Sequence, residues 1–496
     1  MISDLDRLKK LEKIKEQKID PYPARCRRTH TLRDVILNFE KLAKKSQEIN
    51  LVGRLILLRL HGKLCFAHLE DGTGRFQICL RYDKLGQEQY KFFLENIDIG
   101  DFLEAEGKLF TTKRGEKTLE VLKWQLLAKA LLPLPEKWHG LSDIEMRFRK
   151  RYLDLVANSK VREIFVKRSK LIKLIRDFFD SRDFFEVETP TLQPIPGGAV
   201  ARPFVTHHQA LDMDLYLRIA PELYLKRLII GGFERVYEIA RCFRNEGIDR
   251  AHNPEFTQIE FYQAYADYNE LMKLTEELME FLLKNLEGKF PPEADQPLAE
   301  KIEYQAKILN FKPPYPHFDF RELLLKRTGI DIEKEKDLKT LVKKVRALGL
   351  EIDKTWARGK IIDEIYKEKV RPKLINPTFL INHPIELSPL AKQIPDRPGY
   401  VERFQLLAAG MEICNGFSEL NDPIEQEKRF REQQELLRAG DREAQRFDED
   451  FLEALKHGMP PTAGEGIGID RLALILTNTY NIREVILFPT LRPKEK

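Results

Sequence analysis

Two groups of residues in this 496-residue chain could do chemistry, and the first is contiguous. The segment Arg241-Cys-Phe-Arg-Asn-Glu-Gly-Ile-Asp-Arg-Ala-His-Asn-Pro-Glu-Phe-Thr-Gln-Ile-Glu-Phe-Tyr262 follows a mostly apolar run and ends in a strictly alternating one. Between them lie Arg244, Glu246, Asp249, Arg250, His252 and Asn253, with Gly247 and Pro254 as turn formers. That order predicts strand, loop, strand, with an arginine at the exit of the first and an aromatic at the entry of the second. Period-two geometry puts Phe256, Gln258, Glu260 and Tyr262 on one face, and Ile259 and Phe261 on the other. A polar strand face inside a domain lines either solvent or a site. Arg244, Glu246 and His252 overhang it from the loop, which favours a site. The planar fork of Arg244 suits a phosphate.

The second group is a set of acids. Glu222 lies in Ala220-Pro-Glu-Leu-Tyr-Leu-Lys-Arg227 and is placed at a turn; Met411-Glu-Ile-Cys-Asn-Gly-Phe-Ser-Glu-Leu-Asn-Asp-Pro423 contributes Glu412, Asn415 and Glu419. Acids gathered in one pocket need a cationic counterpart: a metal, a substrate ammonium, or both. Glu412 is an odd number of residues from Asn415 and Glu419, so a straight strand sets it on the opposite face. A bulge near residues 414–416 is required if all three serve one site. Downstream, Gly464-Glu-Gly-Ile-Gly-Ile-Asp-Arg471 precedes an apolar run. Its glycines permit a close approach to a ligand, but the Gly-Lys-Ser/Thr ending of a Walker loop is absent.

These residues need a scaffold. Residues 50–59, 64–70, 74–81, 102–110 and 118–128 alternate between glycine turns, with a helical segment at 87–96; this predicts a five-stranded OB-type barrel. Such barrels stack nucleic-acid bases on aromatics over a basic groove. Phe66 and Gln77 fall where a ring and an amide could meet one base, although each can equally be structural. Before the barrel, residues 1–48 form a helical extension with Leu5, Leu8, Leu11 and Ile14 on one stripe and lysines opposite. After it, residues 132–158 form a linker with the basic run Arg147-Phe-Arg-Lys-Arg-Tyr152, open to phosphate contact or to plain solvation. A second domain, 159–496, opens with an amphipathic helix over 159–182 and a short strand closed by Pro190. Residues 288–373 read as a helical, highly charged insertion. The fold class is α+β.

Composition sets outer limits. The chain is 42% hydrophobic and 33% charged with net charge +5, as expected of a multidomain globular protein. The charge neither requires nor excludes nucleic acid. Five cysteines without zinc spacing predict free thiols in a reducing cytosol. A charged N-terminus and the lack of a membrane-length apolar run predict a cytoplasmic protein with no membrane partner.

Phe-Arg-Asn-Glu followed by Gly-Glu-Gly-Ile-Gly-Ile-Asp-Arg resembles motifs 2 and 3 of the class II aminoacyl-tRNA synthetases, and the carboxylates narrow the resemblance to the subclass IIb lysine enzymes. The resemblance spans residues 50–493. It implies an antiparallel catalytic sheet flanked by helices, ATP, L-lysine and tRNA(Lys) as partners, Mg²⁺ as cofactor, and a homodimer built through motif 1 (159–190). Arg244 and Arg471 would be catalytic, gripping the α-phosphate and the γ-phosphate, with Phe256 and Arg471 sandwiching the adenine. Glu246 would accept from the adenine amino group, and His252 and Asn253 would touch the outer phosphates. Glu412 would serve ATP and metal. Glu222 would meet the α-ammonium of lysine, Glu419 and Tyr262 the ε-ammonium, with Glu260 and Asn415 in support and Gly198 against the backbone. Phe66 and Gln77 match anticodon-reading positions. Two departures stand out: Gln405 replaces a usual metal-binding glutamate, and an amide is a poorer Mg²⁺ ligand; Lys123 stands where many relatives carry an acid.

Rival readings are a paralogue that lysylates an elongation factor, an aspartate or asparagine enzyme, and a non-catalytic nucleic-acid-binding relative. The first kind lacks a barrel. The second should present basic residues to the substrate side chain. The third should lose Arg244 and Arg471.

Overall fold

A computed structural model describes residues 2–135, 143–286, 300–354, 356–441 and 443–493. Parts of the expected linker (136–142) and the start of the expected insertion (288–299) lie outside the described residues. The chain forms two compact units, residues 1–142 and 143–496.

In the first unit five strands, β1 (Ile49–His61), β2 (Leu64–Glu70), β3 (Arg75–Arg81), β4 (Phe102–Thr111) and β5 (Lys117–Ala128), close into a barrel in the order β1-β2-β3-β5-β4. Closure leaves no unpaired sheet edge. Alternation fills the interior: Leu51, Leu55, Ala67, Leu69, Ile78, Leu80, Leu103, Leu119 and Val121 are buried. The helix Gln87–Asn96 appears where the sequence predicts it. The N-terminal segment shares this core, because the helix Leu32–Lys44 inserts Leu32, Val35 and Phe39 behind a Thr31–Asp34 capping box. The first helix, Ile2–Glu16, buries only half its apolar stripe: Leu11 and Ile14 are buried, while Leu5 and Leu8 are exposed. Its basic face helps dock it, with Lys10 paired to Asp98 and Arg7 donating to the Ile99 and Ala130 carbonyls.

In the second unit the strands are β6 (Phe185–Glu186), β7 (Leu192–Gln193), β8 (Val205–His208), β9 (Met213–Leu217), β10 (Arg235–Phe243), β11 (Glu255–Ala264), β12 (Lys301–Tyr304), β13 (Lys307–Asn310), β14 (His317–Asp319), β15 (Thr378–Pro384), β16 (Tyr400–Ala408), β17 (Met411–Ser418) and β18 (Thr462–Gly468). Eight of them form one sheet, β14-β15-β16-β17-β18-β11-β10-β6, antiparallel except for its two outer pairs. The helices Ser159–Asp180 and Tyr268–Leu286 bury one face of it. Phe179 touches both Tyr237 and Phe261, at ring separations of 5.3 and 4.6 Å. Each such buried ring stabilises the unit by roughly 2–3 kcal/mol. The face opposite, where β11 carries its polar residues, is left for the site.

Three expectations need correction. The insertion is not simply helical: β12 and β13 pair as a hairpin, and β14 joins the main sheet beside β15. Phe318 is therefore on a strand, and the helix Phe320–Thr328 starts behind an Asp319 cap. Glu222 is not on a turn but is the first residue of the helix Glu222–Ile230. The basic run before residue 153 is largely engaged internally. Arg147 pairs with Asp154, Arg149 with Glu145, and Arg151 is buried against Asp154 and the Leu487 and Arg483 carbonyls. All five cysteines are free thiols. Among the described residues no helix is long and apolar enough to cross a membrane.

Candidate active site

The site is built on the polar face of β11 and its neighbours β17 and β18, which pair with one another in register. Glu260 lies opposite Gly466, Tyr262 opposite Gly464, and Asn415 opposite Gly466 on the other side. Ile259 and Phe261 point into the core, so the expected two-faced strand is present. On the polar face Gln258 donates to Glu260 Oε1 at 2.5 Å, and the Tyr262 hydroxyl lies 3.5 Å from Glu260 Oε2. Burial raises the pKa of Glu260 well above the usual carboxylate range, and the nearby charge of Glu222 adds to this. Tyr262 is likewise held as a neutral phenol by burial and by three surrounding acids, Glu222, Glu260 and Glu419.

A glycine lets these groups crowd together. A Cβ on Gly464 would stand 2.2 Å from the Tyr262 ring and 2.6 Å from Glu419 Oε1, so ring and carboxylate lie side by side over bare backbone. Gly198 has φ +85°, and a Cβ there would stand 2.7 Å from the Glu222 Cβ. Glu222, Tyr262, Glu419 and Gly198, drawn from four separate segments, thus share one buried pocket. Asn415 lies beside it with its side-chain oxygen accepting from Arg403 Nε at 2.7 Å.

The expected strand irregularity exists but sits earlier. Between β16 and β17 the register steps from Leu406↔Cys414 to Leu407↔Glu412, so the extra residue is Ile413 rather than one of 414–416. The bulge returns Glu412 to the face of Gln405 and Asn415. Gln405 is buried; its amide donates to Glu412, and its oxygen accepts from the Tyr366 hydroxyl at 2.9 Å and lies 3.3 Å from His383 Nε2. Burial lowers the His383 pKa to about 3, so the imidazole is neutral.

Across the sheet lies a cationic corner. Arg244 leaves the end of β10, its backbone N–H bonded to the Pro254 carbonyl and its guanidinium carbon 4.9 Å from the Phe256 ring centre. Its Nε is buried without a hydrogen-bond partner. Arg471 is set by its neighbour Asp470, which accepts from Thr257 N at 2.8 Å and from Arg168 at 2.5 Å, tying the start of the helix Ile469–Leu476 to β11. Arg471 Nη1 donates to the Glu412 carbonyl at 3.0 Å and lies 3.7 Å from the Glu412 carboxylate. Its Nη2 is 2.9 Å from His252 Nε2, and His252 Nδ1 is 2.7 Å from Asp249. Burial and the charge of Arg471 lower the His252 pKa, which makes the Asp249 contact a hydrogen bond donated by a neutral ring rather than an ion pair. Glu246 is exposed on the loop. Asn253 is buried and donates to the Glu255 carbonyl at 2.6 Å, which shapes the loop.

Three residues near the site went unnoticed in the sequence. Arg371 adds its charge to those of Arg244 and Arg471 in the cationic corner. Arg403 braces Asn415, the Leu387 carbonyl and the Ser388 hydroxyl from below. Lys226 sits between Glu222 and Glu419. Only Lys226 carried a signal, the four-residue spacing from Glu222 on a helix, and that spacing marks countless surface pairs. In the barrel, Gln77 lines a cavity of about 630 Å³ together with Ile56, His68, Arg75 and Lys117, and it donates to Thr118 at 2.8 Å. Phe66 is part-buried, its ring 6.2 Å from that of His61.

The donor set fits a metal brought in on a triphosphate. Glu412 is a carboxylate at the edge of the cationic corner, and Mg²⁺ commonly takes one or two carboxylates with phosphate oxygens and waters. It does not fit a second ion held by Gln405, whose oxygen already accepts from the Tyr366 hydroxyl and is packed against His383. Among the described residues no three acids, histidines or cysteines group as a self-contained metal site.

The family model for tRNA synthetases class II (D, K and N) matches residues 143–492, and that for the OB-fold nucleic acid binding domain matches residues 49–127. The lysine–tRNA ligase of Roseiflexus sp. (strain RS-1) is 52% identical over 490 residues, covering 99% of this chain and 98% of that protein. The lysine–tRNA ligase of Chloroflexus aurantiacus is 50% identical, covering 98% of each chain, and that of Dehalococcoides mccartyi is 47% identical, covering 99% of this chain and 97% of its own. With both units matched and half of all positions identical from end to end, the chain belongs to the lysine–tRNA ligase family of class II aminoacyl-tRNA synthetases.

Proposed function

We propose that the chain joins L-lysine to tRNA(Lys) at the expense of ATP through a lysyl-adenylate, in the cytoplasm. The observation that carries this reading is the buried meeting of Glu222, Tyr262 and Glu419 beside the arginines of the cationic corner. Acids without enough cations call for a substrate ammonium; arginines without enough anions call for a polyphosphate.

In the first step the lysine carboxylate attacks the α-phosphorus of ATP and pyrophosphate leaves. The carboxylate is already ionised, so no side chain need act as base. Arg244 holds the α-phosphate, and its unpartnered Nε supports that role. Arg471, oriented by His252 and by Asp470, neutralises charge on the outer phosphates and covers one adenine face while Phe256 covers the other. Glu246 takes the adenine amino group, and Asn253 and His252 shape the phosphate end. Glu222 holds the α-ammonium, Glu419 and Tyr262 the ε-ammonium, with Glu260, Asn415 and Gly198 fixing the pocket. Mg²⁺ carried by the triphosphate would rest on Glu412 and supply charge neutralisation there. In the second step the terminal ribose hydroxyl of the tRNA attacks the adenylate carbonyl, forming the ester as the acyl–phosphate bond breaks and AMP and the hydroxyl proton leave. Positioning and electrostatics account for the rate.

Residues 49–131 would read the anticodon through Phe66 and Gln77, with 1–48 as a buttressing extension, 132–158 as a linker, and 159–496, including the insertion about 288–373, as the catalytic domain. A homodimer through residues 159–190 is supported by apolar side chains left in solvent around that segment. Val166 and Phe185 are 63% and 58% exposed, and Phe185 stacks on the 42%-exposed Phe233. The deciding experiment is ATP–pyrophosphate exchange dependent on lysine, followed by transfer to tRNA. Exchange without transfer, or with another amino acid, would overturn the reading.

A further inference from the structure

Lys226 has no task in the reaction just described, yet it stands at the centre of the acidic pocket. Its side chain is 1% exposed, and Nζ lies 2.6 Å from Glu222 Oε1 and 2.5 Å from Glu419 Oε2. The rings of Phe417 and Phe451 lie 5.3 and 5.8 Å from Nζ. A lysine buried this way sheds its proton unless acids hold it. Here two do, and its pKa is raised. Two acids meet one ammonium, so one carboxyl oxygen is left without a cationic partner. Glu419 Oε1 is that oxygen: it is buried, has no hydrogen-bond partner, and faces Tyr262 across Gly464.

We propose that Lys226 is a positioning residue that fixes the gap between Glu222 and Glu419 and thereby sets the length of the diamino acid the pocket accepts. The proposal rests on the reading above, in which those two acids take the two ammonium groups of one substrate. An internal ammonium in contact with both acids stops them from moving apart, and its own volume stops them from closing on a shorter chain. A substrate with one methylene fewer then cannot satisfy both, and the acid it fails to reach stays buried with a partner missing.

Burial raises the pKa of both acids, Glu419 the more, and the Lys226 ammonium is the main influence drawing them back toward their ionised forms. The charged and titratable groups facing this cluster are few. Arg227, on the same helix, turns away to Asp448 and Asp450 at the cap of the helix Glu449–Lys456. From β11 come Glu260 and Tyr262, whose pKa values burial raises. From β16 comes Arg403, which acts on Glu222 through space while its hydrogen bonds go to Asn415, Ser388 and the Leu387 carbonyl. Without Lys226, burial and mutual repulsion would keep at least one of Glu222 and Glu419 protonated near neutral pH.

The test is exchange kinetics of the full-length protein and of Lys226→Met with lysine and with ornithine, from pH 6 to 9. The expected result for Lys226→Met is a KM for lysine raised at least about tenfold with kcat changed far less. That KM should fall steeply as pH rises and the acids ionise, whereas the trend should be much shallower in the unaltered protein, where Lys226 favours their ionised forms. Preference for lysine over ornithine should drop about tenfold. Lys226→Arg keeps the charge but not the shape, so it should restore the shallow pH trend of the unaltered protein and still alter the length preference. It decides the matter by itself if the methionine variant fails to fold, and a native length preference in it overturns the proposal. A Lys226→Met protein with native KM, pH trend and ornithine discrimination also overturns it. Absence of lysine-dependent exchange in the unaltered protein would instead overturn the pocket reading, and this role with it.

Discussion

His252 Nε2 lies 2.9 Å from Arg471 Nη2, and the opposite ring nitrogen lies 2.7 Å from Asp249. An arginine only donates, so the ring accepts at Nε2 and must carry its proton at Nδ1, toward Asp249. The imidazole therefore orients Arg471 only while neutral. Its pKa is depressed below 6.5, so the accepting form prevails above that depressed value and is lost as pH falls through it. An acid limb is expected in lysine activation below about pH 6.5. His252→Ala should raise the KM for ATP about tenfold and remove that limb. His252→Gln keeps an acceptor without a titration, so it should recover most of the affinity and still show no limb. Steady-state exchange across pH distinguishes these outcomes.

Arg244 approaches the Phe256 face at 4.9 Å and has a buried Nε awaiting an acceptor. An anion at this point would gain a charge-assisted bond that the free enzyme lacks, and the gain would be largest as charge builds on the attacked phosphorus. Arg244→Ala should lower kcat for pyrophosphate exchange by several orders of magnitude, with thermal stability nearly unchanged. Arg244→Lys should recover only part, because an ammonium cannot present two parallel donors. A near-normal exchange rate in the alanine variant would remove Arg244 from the mechanism.

The polar face of β11 was readable because period-two alternation fixes which side chains share a face, whatever the tertiary fold. The barrel was readable for the same reason. Glu412 showed that a bulge was needed, but hydrophobic pattern does not locate a single extra residue, and the bulge formed at Ile413. The strands β12 to β14 were missed because three or four residues give no measurable period. Lys226 and Arg403 were missed for a different reason. Sequence reports a charge without its burial, and a lysine four residues from a glutamate reads as a solvent-exposed pair until Glu419, nearly two hundred residues away, closes over it.

Glu465 is the middle acid of Gly464-Glu-Gly466 and points away from the site, into the core, where Thr275 Oγ1 lies 2.8 Å from its Oε2. Burial raises its pKa to about 8. In the unfolded chain the same group ionises near 4.5, so between those values the folded state holds the extra proton and stability must fall as pH rises. The slope is roughly 1.4 kcal/mol per pH unit from this one group. Glu465→Gln, which can still meet Thr275, should unfold at nearly the same temperature at pH 5 and should lose less stability than the unaltered protein by pH 8. Calorimetry at several pH values checks this, and equal slopes in the two proteins would contradict it.

Gln405 bears on the metal. Its amide donates to Glu412 while its oxygen faces Tyr366 and His383, so it contributes no free oxygen where a carboxylate would offer two. In the proposed reaction, phosphate charge would then be balanced more by Arg244, Arg371 and Arg471 and less by Mg²⁺ held on the protein. Gln405→Glu would set a second acid beside Glu412. Two adjacent carboxylates repel, and a divalent cation relieves that repulsion. The variant should therefore reach half-maximal exchange at several-fold lower Mg²⁺ and bind Mn²⁺ in the presence of a nonhydrolysable nucleotide more tightly, as read by electron paramagnetic resonance. At very low Mg²⁺ it should be slower than the unaltered protein, because the unrelieved acid pair would repel the triphosphate. Identical metal dependence in both proteins would mean that the side chain at 405 lies outside the reach of the ion.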